Sequence, residues 1–299
     1  MHRLLVPTAL TALQRDLLEW FEADGRDLPW RRTRDPWAAL VAESMLQQTQ
    51  VPRVVPRFAA FIDRFPTPAV CAAASVGDVV AAWAGLGYNR RAVNLHRCAV
   101  AAVEEHGGRI PDRLDALLAL PGVGPYTARA VLVFAFEHDL GLVDTNAGRF
   151  LARAAAGRAV GRPEAQGLAD ALVPPGHGWA WGQAVFDLGA LVCTRRAPAC
   201  DRCPIERHCA WVAAGRPLPD PVTGSAGITR GHSRFAGSDR QGRGRLVTAL
   251  RTGPVAHGDL AATAGWPDDV ARAHRVAATL VADGLAERTS GGGLRLPRR

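Results

Sequence analysis

Lysine is absent from this 299-residue chain: all 36 basic side chains are arginine. Without a Lys amine, Schiff-base chemistry has only the N-terminal amine to draw on. Long apolar runs are missing as well. Pro68 to Tyr88 comes nearest to spanning length, but it is mostly alanine and carries Asp78, which is costly at the centre of a bilayer, so no transmembrane helix and no membrane partner are expected. Strand signals are scarce. Ala-, Leu- and Val-rich segments at helical spacing, broken at Pro and Gly, run through residue 214 and predict a mainly α body. Hydrophobic residues make up 48% of the chain against 21% charged, which excludes disorder and collagen-like repeats and suggests two or three domains.

The positive charge is unevenly spread. Residues 1–214 hold 23 Arg and 21 acids, whereas residues 215–299 hold 13 Arg and 7 acids, so the tail is the basic part and a polyanion is the partner it suits. Residues 215–244 turn to Pro, Gly, Ser and Arg and read as a linker. Beyond it, over residues 245–299, three short helical segments and a hairpin around Ser290-Gly291-Gly292-Gly293 have the order of a winged-helix module. Cys71 and Cys98 stand alone in Ala-rich helices, where a small buried hydrophobe is expected. The other four cysteines, Cys193, Cys200, Cys203 and Cys209, fall within one loop as C-x6-C-x2-C-x5-C. The first residues carry only a weak signal-peptide pattern, so a cytoplasmic chain with a ligating rather than disulfide-bonded cluster is expected. Only Cys200 and Cys203 form the knuckle usual for Zn, and four thiolates in one short loop suit a cubane iron–sulfur cluster better.

Three further segments carry chemistry. Leu120-Pro121-Gly122-Val123-Gly124 joins two helical segments, and Pro125 opens the second, followed by Tyr126 and Thr127. Two glycines permit a tight hairpin, and the free N–H groups of the following helix favour a phosphate, which is a helix-hairpin-helix pattern for gripping DNA backbone. Glu43, Gln47 and Gln50 fall at i, i+4 and i+7 of a predicted helix over 36–50, a polar stripe that a solvated face would also explain. Asp144 precedes a helix as an N-cap. A carboxylate held by backbone N–H groups stays ionised, the state wanted beside a sugar cation, and a second, protonatable carboxylate would complete the pair that breaks glycosidic bonds.

Together, Arg26-Asp27-Leu28-Pro29-Trp30-Arg31, Glu43-Ser44-Met45-Leu46-Gln47-Gln48-Thr49, Gly85-Leu86-Gly87-Tyr88, Leu120 to Gly124, Val143-Asp144-Thr145-Asn146 and the cysteine loop resemble the MutY-type adenine DNA glycosylases of the helix-hairpin-helix superfamily, in order over residues 8–213. The resemblance implies a six-helix barrel over 35–140, an iron–sulfur lobe from 1–34 and 141–214, and double-stranded DNA with a mispaired adenine as the partner of a monomer. It implies that Glu43 protonates the adenine, that Asp144 stabilises the sugar cation, and that Tyr126 and Asn146 line the pocket. Gln47, Gln48, Thr49 and Tyr88 would hold the distorted duplex, with Leu120, Gly122, Val123, Gly124 and Thr127 on its backbone, and a [4Fe-4S] cluster would sit on the four cysteines. Adenine opposite guanine or 8-oxoguanine would be removed by hydrolysis in base excision repair.

Two departures stand out. Asn89 follows Tyr88 where the family often has a second Tyr, and residues 215–299 are shorter than, and patterned unlike, the family's Nudix-like lesion-reading domain. The basic tail is therefore expected to add affinity for any duplex, with Phe235 in the linker as the alternative lesion reader. A glycosylase and lyase of the endonuclease III type would need a Lys where this chain has Tyr126, and a non-enzymatic iron–sulfur regulator would need neither Glu43 nor Asp144.

Overall fold

The computed structural model describes residues 7–226 and 234–298. They form two compact units, Met1–Arg34 with Gly124–Arg230, and Asp35–Val123 with Gly231–Arg299. The division differs from the expected one: the helix after the hairpin belongs to the first unit, and the C-terminal module belongs with residues 35–123. No helix among the described residues is long and apolar enough to cross a membrane.

The first unit contains α1 (Pro7–Asp24), α8 (Pro125–Phe136), α9 (Thr145–Phe150), α10 (Arg162–Ala171), α11 (Gly178–Asp187) and α12 (Ala210–Ala213). Two of these run on as π-helical turns, α9 into Leu151–Ala156 and α11 into Leu188–Val192. Leu13, Leu17, Phe150, Leu151, Trp181 and Leu188 are the centre of its core, with Trp181 edge-on to Phe150 at 6.0 Å. Each such side chain contributes roughly 1.5–3 kcal/mol by leaving water.

The second unit begins with α2 (Pro36–Leu46), α3 (Val51–Arg64), α4 (Pro68–Ala73), α5 (Val76–Ala82), α6 (Arg90–His106) and α7 (Leu114–Ala119). Local chemistry marks their starts. Asp35, Thr67 and Ser75 each accept a backbone N–H at the N-cap of α2, α4 and α5, and Pro36 and Pro68 occupy first turns, where their missing N–H costs nothing. In α3, Val54, Phe58 and Phe61 point inward at i, i+4 and i+7 while Arg53 and Arg57 face water.

One predicted helix is wrong in a way that bears on the site. α2 ends at Leu46, Gln47 leaves it at ψ 113°, Gln48 adopts φ +58°, and Gln50 already precedes α3. Glu43, Gln47 and Gln50 therefore share no helical stripe, and Glu43 is buried at 7% exposure rather than solvated. At the break the Arg91 guanidinium takes the carbonyls of Ser44, Met45 and Gln47, which a continuing helix would have used.

The C-terminal part has the expected order: α13 (Asp239–Leu250), α14 (Leu260–Ala264), α15 (Val270–Ala282), and the antiparallel β1 (Glu287–Arg288) and β2 (Leu294–Arg295), with Val255 bridging to Leu294. The stretch that reads as a linker is largely structured. Its end is the first half of α13, capped by Ser238, and its beginning packs in the first unit, where Val222 and Ala226 are buried and the Ala226 N–H meets the Val160 carbonyl at 2.8 Å. Residues 227–233 of that stretch lie outside the described residues.

Candidate active site

In the first unit, Asp144 caps α9. One carboxylate oxygen accepts the N–H groups of Asn146 and Ala147 at 2.8 and 2.7 Å, and the other accepts the Asn146 amide at 2.9 Å. Enclosure nevertheless raises the Asp144 pKa above the ordinary carboxylate value, outweighing those three donors. Burial, more than the cap, sets the direction of the shift. The network continues, because Arg149 donates to the Asn146 side-chain oxygen at 2.6 Å and to the Cys193 carbonyl at 2.8 Å. Asp144 and the cysteine loop are therefore joined through Asn146 and Arg149. Tyr126, in the first turn of α8, is half-buried against the cluster of Ala130, Val133, Phe134 and Leu142. Thr127 beside it is buried, which suits packing more than contact with a ligand.

The four cysteines are free thiols that line one cavity of about 380 Å³, its open mouth included. Apart from Arg153 and Glu206 the lining is apolar, with Phe150, Leu188 and Ile205 among it. Burial pushes the Cys203 thiol up to about 12. Among the described residues no three His, Cys, Asp or Glu side chains group as a site for a single metal ion. Four thiols spread round one cavity are donors for a shared polynuclear group, and the chemistry of the set fits one. Arg153 is buried beside them. It donates to Cys193 Sγ at 3.4 Å, to the Thr194 carbonyl at 2.7 Å, and by a two-bond fork to Asp220, at 3.0 and 2.6 Å. Cys71 and Cys98 are buried, as expected, and burial raises both to about 12.

Sequence reasoning gave no role to a second buried charge group in this unit. Asp187, fully buried, accepts Arg31 at 2.7 and 2.8 Å and Arg26 at 2.7 Å. Burial would raise Asp187, and these bonds outweigh it and hold the pKa below the usual range. Arg31 is 8% exposed, and its Nε is buried without a hydrogen-bond partner. A buried donor of that kind is costly unless something else accepts from it.

In the second unit, Arg91 gathers the segments bearing Gln47, Gln48, Thr49 and Tyr88. Besides the three carbonyls of 44–47 it reaches Thr49 Oγ1 at 2.9 Å and the carbonyls of Leu86 and Gly87 at 3.2 and 3.0 Å. Burial pulls its pKa down to about 10, so it stays charged at neutral pH. Gln48 and Tyr88 are both exposed and both left-handed, at φ +58° and +45°. Nothing in the sequence singles out Arg91, since carbonyl cages leave no spacing signature. Gly122 has φ +79°, and a Cβ there would meet Asn94 at 2.6 Å, so the hairpin requires glycine twice over. Leu120 and Val123 are buried anchors, whereas Gly124 is open, with nothing near a Cβ built on it. Ser44, Gln47, Asn94 and Gly122 line one cavity of about 290 Å³, which brings the end of α2 to the hairpin.

A model of the HhH-GPD superfamily of base excision DNA repair proteins matches residues 41–175. An adenine DNA glycosylase from Mycolicibacterium smegmatis is 43% identical over 283 residues, spanning 93% of this chain and 93% of that protein. The chain belongs to the adenine DNA glycosylase family. The human adenine DNA glycosylase is 40% identical over 217 residues, 67% of this chain and 39% of that protein. The bacterial match is long enough to take in most of residues 245–299. Among solved structures, a thermostable thymine-DNA glycosylase is 27% identical with a TM-score of 0.64, covering 69% of this chain and 98% of that one.

Proposed function

We propose that this adenine DNA glycosylase family member excises adenine paired with guanine or 8-oxoguanine from double-stranded DNA, acting as a monomer. The observation that carries the reading is the held carboxylate of Asp144, fixed by Asn146 and two backbone N–H groups yet raised by burial. Such a group gains most when positive charge develops beside it. A carboxylate about 4 Å from a sugar cation is worth roughly 4 kcal/mol at an effective dielectric near 20, or about three decades in rate.

Glu43, buried on α2, supplies the proton that makes adenine a leaving group, and water completes the hydrolysis. Tyr126 and Asn146 shape the pocket, and the absence of Lys supports base removal without strand cleavage. Flipping the adenine out requires that its place be held, a task that suits exposed Gln48 and Tyr88, with Gln47 and Thr49 fixing the segment behind them. The hairpin, open at Gly124, grips phosphate. Cys193, Cys200, Cys203 and Cys209 would hold a [4Fe-4S] cluster, which supplies a rigid cross-link of the loop, with Arg153 balancing the thiolate charge.

The test is incubation of the purified protein with duplexes carrying adenine opposite guanine, 8-oxoguanine, cytosine or thymine, followed by alkali. Cleavage of the first two is expected, with no borohydride-trapped complex and about four irons per chain. Glu43→Gln should bind the mismatch duplex while losing excision, and excision at the wild-type rate would remove Glu43 from the mechanism.

A further inference from the structure

The C-terminal module lies against α5 and α6. The Pro297 carbonyl accepts the Gly77 N–H at 3.0 Å, so close that a Cβ on Gly77 would stand 2.4 Å from the oxygen. Asp283, just past α15, pairs with Arg90 at 3.5 Å and with Arg243 at 2.5 Å. Between these two anchors, Arg251 at the end of α13 donates to the Val80 carbonyl at 3.2 and 3.1 Å and to Asn89 Oδ1 at 2.9 Å.

Both acceptors are informative. Val80 belongs to the last turn of α5, where helical partners for carbonyls run out and the helix end carries negative partial charge, so a guanidinium there satisfies both needs. Asn89 holds the N-cap of α6, where asparagine ordinarily accepts a backbone N–H of its own helix. It makes no such bond, and its oxygen is given to Arg251 instead. Arg251 thus fastens the two ends of the turn from α5 to α6, and Tyr88 is the residue before Asn89.

That turn needs fastening. Tyr88 holds φ +45°, a conformation that a bulky residue keeps only when its surroundings impose it, and the residue is 48% exposed. Arg91 ties the turn to residues 44–49 from one side, and Arg251 ties it from the other. We propose that Arg251 is a positioning residue for Tyr88, and that the C-terminal module serves as a buttress that keeps the Tyr88 turn in the shape that enters the duplex. The proposal rests on the reading of Tyr88 as the residue that supports the distorted duplex. It gives the module a role distinct from phosphate binding by a basic tail: the module fixes the shape of a turn, and Asn89 is the residue through which it acts.

Single-turnover excision of adenine opposite 8-oxoguanine, with 2-aminopurine fluorescence beside the pair as a report on unstacking, tests this in the full chain carrying its iron. Arg251→Met and Asn89→Leu should each slow excision and damp the fluorescence rise about tenfold, the double variant being no worse than either. Asn89→Asp, which keeps the acceptor, should stay near wild type, and Asn89→Leu, which changes no charge, should leave affinity for undamaged duplex unchanged. In a Tyr88→Ala background Arg251→Met should cost less than about twofold. An undiminished cost there, or an equal loss of undamaged-duplex affinity in Asn89→Leu, would overturn the buttress in favour of general stability or phosphate binding. Asn89→Leu remains decisive if Arg251→Met does not fold. Wild-type behaviour of Tyr88→Ala would remove the reading of Tyr88 and the buttress with it, whereas impaired Tyr88→Ala beside wild-type Asn89→Leu would remove the buttress alone.

Discussion

Arg153 in the first unit and Arg91 in the second are both guanidiniums drawn into the protein and surrounded by backbone oxygen, yet they are neutralised differently. Arg153 has a carboxylate, Asp220, in a two-bond fork and a thiol beside it. Arg91 has five carbonyls and one hydroxyl within 3.2 Å and, among the described residues, no carboxylate paired with it. The first arrangement is a closed charge pair that ties the cysteine loop to residues 217–226. The second leaves a net positive charge beneath the exposed Gln48 and Tyr88. The paired cation sits among the cysteines, and the one beneath the exposed Gln48 and Tyr88 is left to its dipoles.

The sharpest way to break this contrast is Arg153→Met. It removes a buried guanidinium and its bonds to the Thr194 carbonyl and to the partly exposed Asp220, and should destabilise the first unit by about 2–3 kcal/mol, since hydrogen bonds to a charged group are among the stronger ones. Urea unfolding measures this, and iron content should fall with it. Equal stability of the variant would mean that the pair is dispensable. Arg91→Met strands only carbonyls, which the loops can turn to water, so about 1–2 kcal/mol of stability is expected to go. Its larger effect should be on mismatch excision, and a loss of stability matching that of Arg153→Met would erase the distinction.

Acid should separate the two regions next. Burial would raise Asp220, but the bonds from Arg153 and Val222 hold its pKa below the ordinary value, so its contribution is complete above about pH 4 and is lost as pH falls through the lower folded value. The Arg91 cage has no carboxylate to protonate. Unfolding followed below pH 4 should show an acid-sensitive component in the wild type that Asp220→Asn removes and Arg91→Met keeps. The smallest effect concerns arginines near the cysteine loop. Arg195, Arg196 and Arg202 are exposed, so replacing one by Ala should lower the salt slope of DNA binding by about one. Arg207 bonds Asp16, so Arg207→Ala should change the slope less.

Much of this was legible in the sequence. Helix starts followed from Pro, Ser, Thr and Asp at caps, and the cysteine spacing and the glycine hairpin pointed to their sites before any geometry. The failures share one cause. Among 36 arginines and no lysine, sequence cannot tell Arg91, Arg153 or Arg251 from a surface arginine, because their partners are carbonyls and distant carboxylates with no fixed spacing. The same blindness made residues 217–226 look like a linker, since Asp220 gains its meaning only from Arg153, 67 positions away. The broken end of α2 was hidden for the same reason.

The two π-helical turns have a consequence for how this chain could change length. A π turn fits one more residue into a helix than α geometry would carry, and Leu188–Val192 ends immediately before Cys193. Deleting Ala190 would let the segment relax to α-helix at little local cost. Because the π turn takes up that residue without the extra 100° step that one residue makes at about 3.6 per turn, the chain beyond it, Cys193 included, would keep its direction. The extra residue is taken up locally, so this is a place in the fold where the loss of a single codon would leave a good helix and the cysteine loop facing as before.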